Sequence, residues 1–302
     1  MLILLIVTTA LAPMAWGTTY WVTTELLPPG HPLFAALTRS LPLGLLAVAV
    51  TRTLPRGDWW GKAAVLGVLN IGAPFPLLFV AAERLPGGVA ATLGAAQPLI
   101  VAGLAIVVLS ESPSAWRLSW GVAGVVGVGL VVLRPGAGFD ALGVIAGVGA
   151  AGSMAAGVTL TKRWGRPAGV GPLPFAGWLL SGGGLFLLPL VLLFEGVPPS
   201  VDAHALTGYL WLATAGGLIA YVLWFRGIGR LPVTATSLLV LLSPLVAAVV
   251  GALLLGEVFT PVQLGGFALA LAALVAGQFT PSRTPLPVSR PDVPHTRKGH
   301  QS

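Results

Sequence analysis

Long apolar runs separated by short polar gaps fill the chain from residue 2 to residue 279. A helix that crosses a membrane needs about 20 mostly apolar residues, because each residue adds about 1.5 Å along the helix axis. The pattern predicts ten such helices, with the bounds 2–21, 31–50, 60–81, 86–109, 115–133, 141–161, 172–194, 204–225, 232–255 and 260–279. Short connections are typical of a compact bundle, so we predict an all-α membrane protein.

The composition supports lipid as the main solvent of the protein surface. Hydrophobic residues make up 56% of the 302 residues and charged residues only 8%, whereas soluble proteins carry about 25% charged residues. The chain has no cysteine, which excludes disulfides and thiolate metal sites. Its net charge of +7 does not indicate nucleic-acid binding, because the basic residues lie mostly in the gaps between apolar runs.

The distribution of Lys and Arg predicts the orientation in the membrane. If the N-terminus is cytoplasmic, thirteen of the 16 Lys and Arg residues fall on the cytoplasmic side and only Arg84 and Arg134 fall outside. Cytoplasmic loops carry an excess of basic residues, so we expect both termini in the cytoplasm and a multi-pass protein of the plasma (inner) membrane. Residues 280–302 are rich in proline and basic residues, a composition typical of a disordered tail.

The same apolar pattern occurs twice in the chain. Residues 84–111 and 230–257 both begin with Arg-Leu-Pro, contain 26 uncharged residues and end with Glu, and the second segment follows the first by 146 residues. The two segments are five predicted helices apart, so they cross the membrane in opposite directions. We therefore predict two inverted repeats of five helices each, residues 1–136 and 137–279, an arrangement that secondary transporters use.

A proline lies near the middle of each repeated helix, at Pro98 and Pro244. A proline inside a helix removes one backbone donor and kinks the helix. Polar backbone groups that a kink releases inside a membrane must be buried in protein or line a wet cavity. We therefore expect both prolines near the centre of the bundle, around one polar pocket, although local packing alone also explains a single membrane proline.

These features resemble the drug/metabolite transporter superfamily, specifically its EamA-domain exporters. The resemblance covers about residues 1–279 and includes "WGTTY" in the first helix, an Arg in the second, and "AYVLWF" in the eighth. It also includes "RLP" at the start of the fourth helix of each half, its central proline, and a closing "SE" or "LGE". The "LSE" at 109–111 departs from the Gly-Glu that is commoner in the family. The resemblance implies a plasma-membrane exporter of amino acids or similar metabolites.

Arg39 is the one charged side chain well inside a predicted helix. An Arg in mid-membrane costs about 2.5–3.5 kcal/mol on insertion scales, so it should face the protein interior and find a partner. It is either a counter-charge for a substrate carboxylate or a structural residue that bonds backbone carbonyls. Six other residues complete the predicted substrate site, with packing or helix–helix hydrogen bonding as the alternative role of each: Trp16, Asn70, Gln97, Tyr221, Trp224 and Ser243.

The leading hypothesis is a secondary transporter that exports small metabolites by alternating access, with a small-molecule substrate and the lipid bilayer as its partners. The chain has no P-loop lysine and no His-Glu-x-x-His motif, and we expect no cofactor or metal. The alternatives are an intramembrane enzyme or a non-transporting membrane scaffold. The sequence does not indicate the substrate, the coupling ion or the oligomeric state.

Overall fold

The computed structural model of the chain describes residues 2–85, 93–111, 114–132, 140–255 and 259–279. Every regular element in these ranges is helical. The helices are α1 Leu2–Glu25, α2 Pro32–Thr51, α3 Trp59–Leu78, α4 Leu93–Leu109, α5 Ala115–Val132, α6 Ala141–Trp164, α7 Pro172–Glu195, α8 Ala203–Arg230, α9 Val233–Leu254 and α10 Pro261–Gln278. The regular helix that ends α3 continues to Arg84.

Nine of these described helices are long and apolar enough to cross a membrane, and α4 is a shorter apolar helix. The prediction of an all-helical membrane bundle is therefore confirmed. The prediction of a full fourth crossing at 86–109 lies partly outside the described residues, as do Glu257 and the predicted tail at 280–302. The count of ten crossings and the inverted arrangement of the halves stay predictions.

Several helices are longer at their C-terminal ends than the sequence pattern predicted, and α6 and α8 show why. Helix α6 extends to Trp164 rather than residue 161, and α8 extends to Arg230 rather than residue 225. Both extensions carry basic residues. Cations near a helix C-terminus interact favourably with the helix dipole, so the charges that mark the end of an apolar run do not end the helix.

Small residues let the helix backbones approach one another closely. On α5, a β-carbon added to Gly127 would lie 2.7 Å from the backbone N of Ala270 and 2.8 Å from the carbonyl O of Gly266 on α10. On α7, a β-carbon added to Gly177 would lie 3.2 Å from the carbonyl O of Gly44 on α2. Such small-residue interfaces are a usual means of helix association in membranes, and they account for much of the high glycine content.

Interruptions in α3 and α8 lie at the 146-residue offset, and α4 and α9 are each interrupted shortly before the central proline. A π-helical turn occupies Val68–Gly72 in α3 and another occupies Thr214–Ile219 in α8, and their first residues are 146 apart. Helix α4 has a turn at Ala96, two residues before Pro98, and α9 has a 3₁₀ segment at Leu239–Leu241 shortly before Pro244. Both prolines thus follow an interruption of their helix; Pro98 is buried and Pro244 half-buried, and the polar pocket expected between them stays a prediction.

Candidate functional site

Four of the predicted site residues meet around one backbone carbonyl in the centre of the bundle. The carbonyl O of Gly216, in the π-turn of α8, accepts a hydrogen bond from Trp16 Nε1 at 3.0 Å. It also accepts bonds from Arg39 Nε at 3.2 Å and Arg39 Nη2 at 2.9 Å. The ring of Trp16 lies 5.3 Å from the rings of both Tyr221 and Trp224, measured between centroids. We call these four side chains and the Gly216 carbonyl the Arg39 cluster.

The π-turn explains why the Gly216 carbonyl is available to side chains. In a regular α-helix this oxygen would accept the backbone N–H of Ala220, four residues later. Here the N–H of Ala220 donates to the carbonyl of Gly217 instead. The α-helical donor of the Gly216 oxygen is thus turned to another carbonyl, and this oxygen receives side chains from α1 and α2.

Gly217 brings α2 close enough for this contact. A β-carbon at Gly217 would lie 2.5 Å from the backbone O of Arg39 and 3.0 Å from the carbonyl O of Leu212. Both neighbours are backbone atoms, which cannot rotate away. Only glycine therefore allows α2 to pass this near the π-turn, and the approach places the Arg39 side chain on the adjacent carbonyl.

Arg39 is buried, with 6% of its surface exposed. Its guanidinium carbon lies 5.2 Å from the centroid of the Phe75 ring on α3, which is within the range of a cation–π contact. The side chain thus joins α2, α3 and α8 in the bundle centre. The prediction that Arg39 faces the interior and finds a partner is confirmed.

Asn70 lies at the position of α3 that matches Gly216 in the 146-residue offset, but its contacts are with α6. Its Nδ2 donates to the carbonyl of Leu66 at 2.8 Å and to Thr161 Oγ1 at 3.5 Å. A β-carbon at Gly157 would lie 2.6 Å from that same nitrogen. These contacts are of the helix–helix type, so the substrate role of Asn70 stays a prediction.

Gln97 and Ser243 lie in different surroundings. Gln97 is 2% exposed, and its Nε2 is a buried nitrogen without a hydrogen-bond partner among the described residues. The next residue, Pro98, lines a small cavity between α4, α5 and α9 together with Arg117 and Thr234. Ser243 is half-buried, and its carbonyl O would lie 2.6 Å from a β-carbon at Gly17 of α1.

Most of the predicted site residues are buried inside the bundle. Six of the seven predicted site residues are buried, Ser243 being the exception. Sequence reasoning found the side chains of the Arg39 cluster but missed the backbone oxygen that gathers them. The alignment of Gly216 with the polar Asn70 in the repeat pointed to this position. The residue type of Gly216 does not reveal, however, that its backbone oxygen accepts side-chain hydrogen bonds.

Different contacts join the helices at the two ends of the bundle. At the end that we call the basic end, Lys162 Nζ donates to the carbonyl of Leu231 at 2.8 Å and Arg163 Nη1 to that of Val108 at 2.7 Å. Arg117 Nε donates to the carbonyl of Gly277 at 3.3 Å. These three acceptors lie at or just beyond the C-terminal ends of α8, α4 and α10, where the last carbonyls lack helical partners.

At the opposite end, Glu195 joins α7 to α2. Its two carboxylate oxygens accept the backbone N–H groups of Leu33 and Phe34, at 2.8 Å and 2.7 Å. A carboxylate at a helix N-terminus satisfies free donors and matches the helix dipole. Among the described residues, no group of three or more His, Cys, Asp or Glu could hold a metal ion.

Comparisons with known proteins agree on one family. The model of the EamA-like transporter family matches residues 2–133 and again residues 141–276. The chain is 45% identical to Protein PecM of Dickeya dadantii (strain 3937) over 267 residues, which are 88% of this chain and 90% of that protein. It is 30% identical to a probable terminal-alkyne amino-acid exporter of Streptantibioticus cattleyicolor over 78% of this chain and 79% of that protein.

A protein of known crystal structure has the same fold, with a TM-score of 0.73 over 91% of this chain and 96% of the other, at 20% sequence identity. The resemblance inferred from "WGTTY", Arg39 and the paired prolines is thus confirmed at the level of the family. The apolar helices likewise indicate a membrane protein. The chain belongs to the EamA-like transporter family.

Proposed function

We propose that this transporter exports small metabolites, amino acids or similar amphipathic solutes, by alternating access. The observation that carries the proposal is the Arg39 cluster, in which a buried guanidinium and three aromatic rings meet at a break in the helix ladder. An intramembrane ionisable residue usually marks a substrate or ion pathway. The name of the Streptantibioticus cattleyicolor relative, a probable amino-acid exporter, supports the same substrate class.

The chemistry of the cluster suits a solute with a carboxylate and an apolar or cationic part. A guanidinium binds a carboxylate through two parallel hydrogen bonds, and a substrate carboxylate would replace the Gly216 carbonyl as the acceptor for Arg39. Aromatic faces attract ammonium groups and pack against apolar side chains. The rings of Trp16, Tyr221 and Trp224 would therefore receive the remainder of an amino acid.

Two inverted halves provide the means of alternating access in this proposal. The 146-residue offset recurs in the π-turns of α3 and α8, and the family model matches the chain in two successive segments. In such transporters one half moves against the other around a fixed central site. The contacts of Lys162, Arg163 and Arg117 at the basic end and of Glu195 at the opposite end would break in turn as each side opens.

We propose that the protein lies in the plasma (inner) membrane with its basic end in the cytoplasm. Cytoplasmic segments of membrane proteins carry the excess of Lys and Arg. Under this orientation the solute enters at the basic end and leaves at the end that Glu195 joins. A reporter fused after Ser302 should then be cytoplasmic, and one inserted in the 196–202 connection should be external. The reverse pattern would contradict the orientation.

Efflux from proteoliposomes tests the proposed activity. Vesicles that contain the purified protein are loaded with a mixture of amino acids, and the loss of each solute is followed by mass spectrometry against protein-free vesicles. We expect selective loss of one or a few solutes from vesicles with the wild-type protein. Arg39→Met should abolish this loss, since it removes the guanidinium while Trp16 still satisfies the Gly216 carbonyl.

Arg56→Met is the matched control, because Arg56 is exposed and lies outside the helices. Arg39→Lys keeps a charge without the planar fork of the guanidinium and should transport more slowly than the wild type. Solute-specific efflux by folded Arg39→Met at the wild-type rate would exclude Arg39 as the substrate ligand. Absence of any solute-specific flux from the wild-type protein would favour a non-transporting scaffold or an intramembrane enzyme.

A further inference from the structure

Three arginines converge at the basic end from two separate segments. Lys162 Nζ bonds the carbonyl of Leu231, which fixes the end of α6 beside the end of α8. Arg166 follows α6 by two residues, in the connection to α7, and Arg226 and Arg230 occupy the last turns of α8. This contact therefore places the segment that carries Arg166 beside the end of α8, where the charges of Arg226 and Arg230 act on it.

The charges of these arginines are not balanced by acidic side chains of the described chain. The ion pairs among the described residues are Lys62–Asp58 and Arg84–Asp140, which leave the three arginines out. The Nη1 atom of Arg166 is buried and has no hydrogen-bond partner among the described residues. Burial lowers the pKa of the Arg166 guanidinium, and the positive charges of Arg230 and Arg226 lower it further.

The dipole of α8 accounts for only part of this arrangement. Cations in the last turn of a helix are stabilised by its negative end; Arg230 is in that position, and Arg226 lies one turn earlier. Arg166 lies outside any helix, between α6 and α7, so the dipole of α8 does not explain why it lies against the other two. An anionic group at Arg226 and Arg230 would offset the mutual repulsion of the three guanidinium groups.

The face of α8 that carries Arg226 and Arg230 also carries an exposed apolar residue, Ile219. Arg226 and Arg230 are exposed, and so is Ile219, with 56% of its surface accessible. Residues 219, 226 and 230 share one helix face, because seven residues make nearly two turns and four make nearly one. An apolar chain along this face would end at the arginines, about 10 Å from Ile219.

We propose that Arg166, Arg226 and Arg230 bind the phosphate of an anionic phospholipid headgroup, with one acyl chain against the Ile219 face of α8. Arginine suits this role because its planar fork donates two hydrogen bonds to a phosphate. Basic pockets between membrane helices on the cytoplasmic side bind such headgroups. The adjoining apolar face favours a lipid over a free phosphate, which has no apolar part.

Native mass spectrometry of the full chain in detergent tests this proposal. The protein is titrated with phosphatidylglycerol, and phosphatidylcholine and glycerol 3-phosphate serve as the neutral-lipid and free-phosphate probes. We expect one tightly retained phosphatidylglycerol per wild-type chain. The double variant Arg226→Gln with Arg230→Gln should bind it about 30-fold more weakly, since each basic residue near an anionic surface contributes roughly fivefold.

The matched control is the double variant Arg52→Gln with Arg56→Gln, which removes the same charge from the same end of the bundle, after α2. It should keep the retained lipid. Arg166→Gln, in a connection rather than a helix, provides a second test if the double variant does not fold. Equal loss of lipid in the control and cluster variants, equal retention of phosphatidylcholine, or competition by glycerol 3-phosphate at the same concentration would each overturn the lipid site.

Discussion

The contact between Gly217 and the backbone of Arg39 makes a quantitative prediction, because the neighbouring glycine provides its own control. A β-carbon at Gly217 would lie 2.5 Å from the carbonyl O of Arg39, whereas one at Gly216 would meet nothing nearer than Arg39 Nε at 3.8 Å. The same substitution, to alanine, at two adjacent positions of one π-turn should therefore have opposite effects.

The expected magnitudes follow from these distances. Gly217→Ala forces α2 away from α8 by a few tenths of an ångström or more, and overpacking of this kind typically costs about 1–3 kcal/mol. Gly216→Ala meets only ordinary van der Waals contacts and should be neutral or stabilising by up to about 1 kcal/mol, since alanine loses less backbone freedom than glycine in a helix. The two variants should differ by about 1–4 kcal/mol in the free energy of unfolding.

The assay is unfolding of both purified variants in the same detergent, followed by tryptophan fluorescence, since Trp16 and Trp224 belong to the affected cluster. Gly217→Ala should also lose most of the solute efflux, because its shift of α2 separates Arg39 from the Gly216 carbonyl. Equal stability of the two variants would refute the close passage of α2 over the π-turn. It would also contradict the explanation that Gly217 allows Arg39 to reach the Gly216 carbonyl.

Two further predictions concern helix contacts away from the Arg39 cluster. Gly266→Ala should destabilise the protein by about 1–3 kcal/mol, because its β-carbon would lie 2.7 Å from the carbonyl O of Gly127 on α5. The control is Gly265→Ala, which has open space around its β-carbon and should leave stability unchanged. Equal unfolding midpoints of the two variants in one detergent would contradict the α5–α10 interface. Glu195→Gln should reduce stability by about 1–2 kcal/mol, since an amide offers one acceptor where the carboxylate offers two to the start of α2. Hydrogen exchange at the first turn of α2 should accelerate in this variant, and unchanged exchange would show that Glu195 does not cap α2.

The sequence predicted the membrane bundle because the length of an apolar run can be read along the chain. An apolar run must be long enough to cross the bilayer, and the length of the run is visible without any partner. The interruptions at Pro98 and Pro244 were predictable for a similar reason, since the missing N–H of proline acts on its own helix. The interior position of Arg39 followed from the high energy of a charge in lipid.

The sequence alone also showed the 146-residue offset and predicted the family. Repeated motifs such as the paired Arg-Leu-Pro segments are properties of residue order. The ends of α6 and α8 were predicted less well, because Lys162 and Arg226 stop the apolar pattern without stopping the hydrogen-bonded helix.

The sequence by itself therefore determined that the protein surface faces lipid, that the fold is all-helical and that the chain repeats itself. It also determined which polar side chains lie within the predicted membrane helices. Only the tertiary structure decided which of these meet. It joined Trp16 and Arg39 at the carbonyl of Gly216, placed Asn70 against α6, and brought Arg166 beside Arg226 and Arg230. The physical reason is that each contact depends on a backbone group, or on the distance between helices far apart in the chain. Residue type encodes neither the release of a carbonyl in a π-turn nor the closeness of two helices at a glycine.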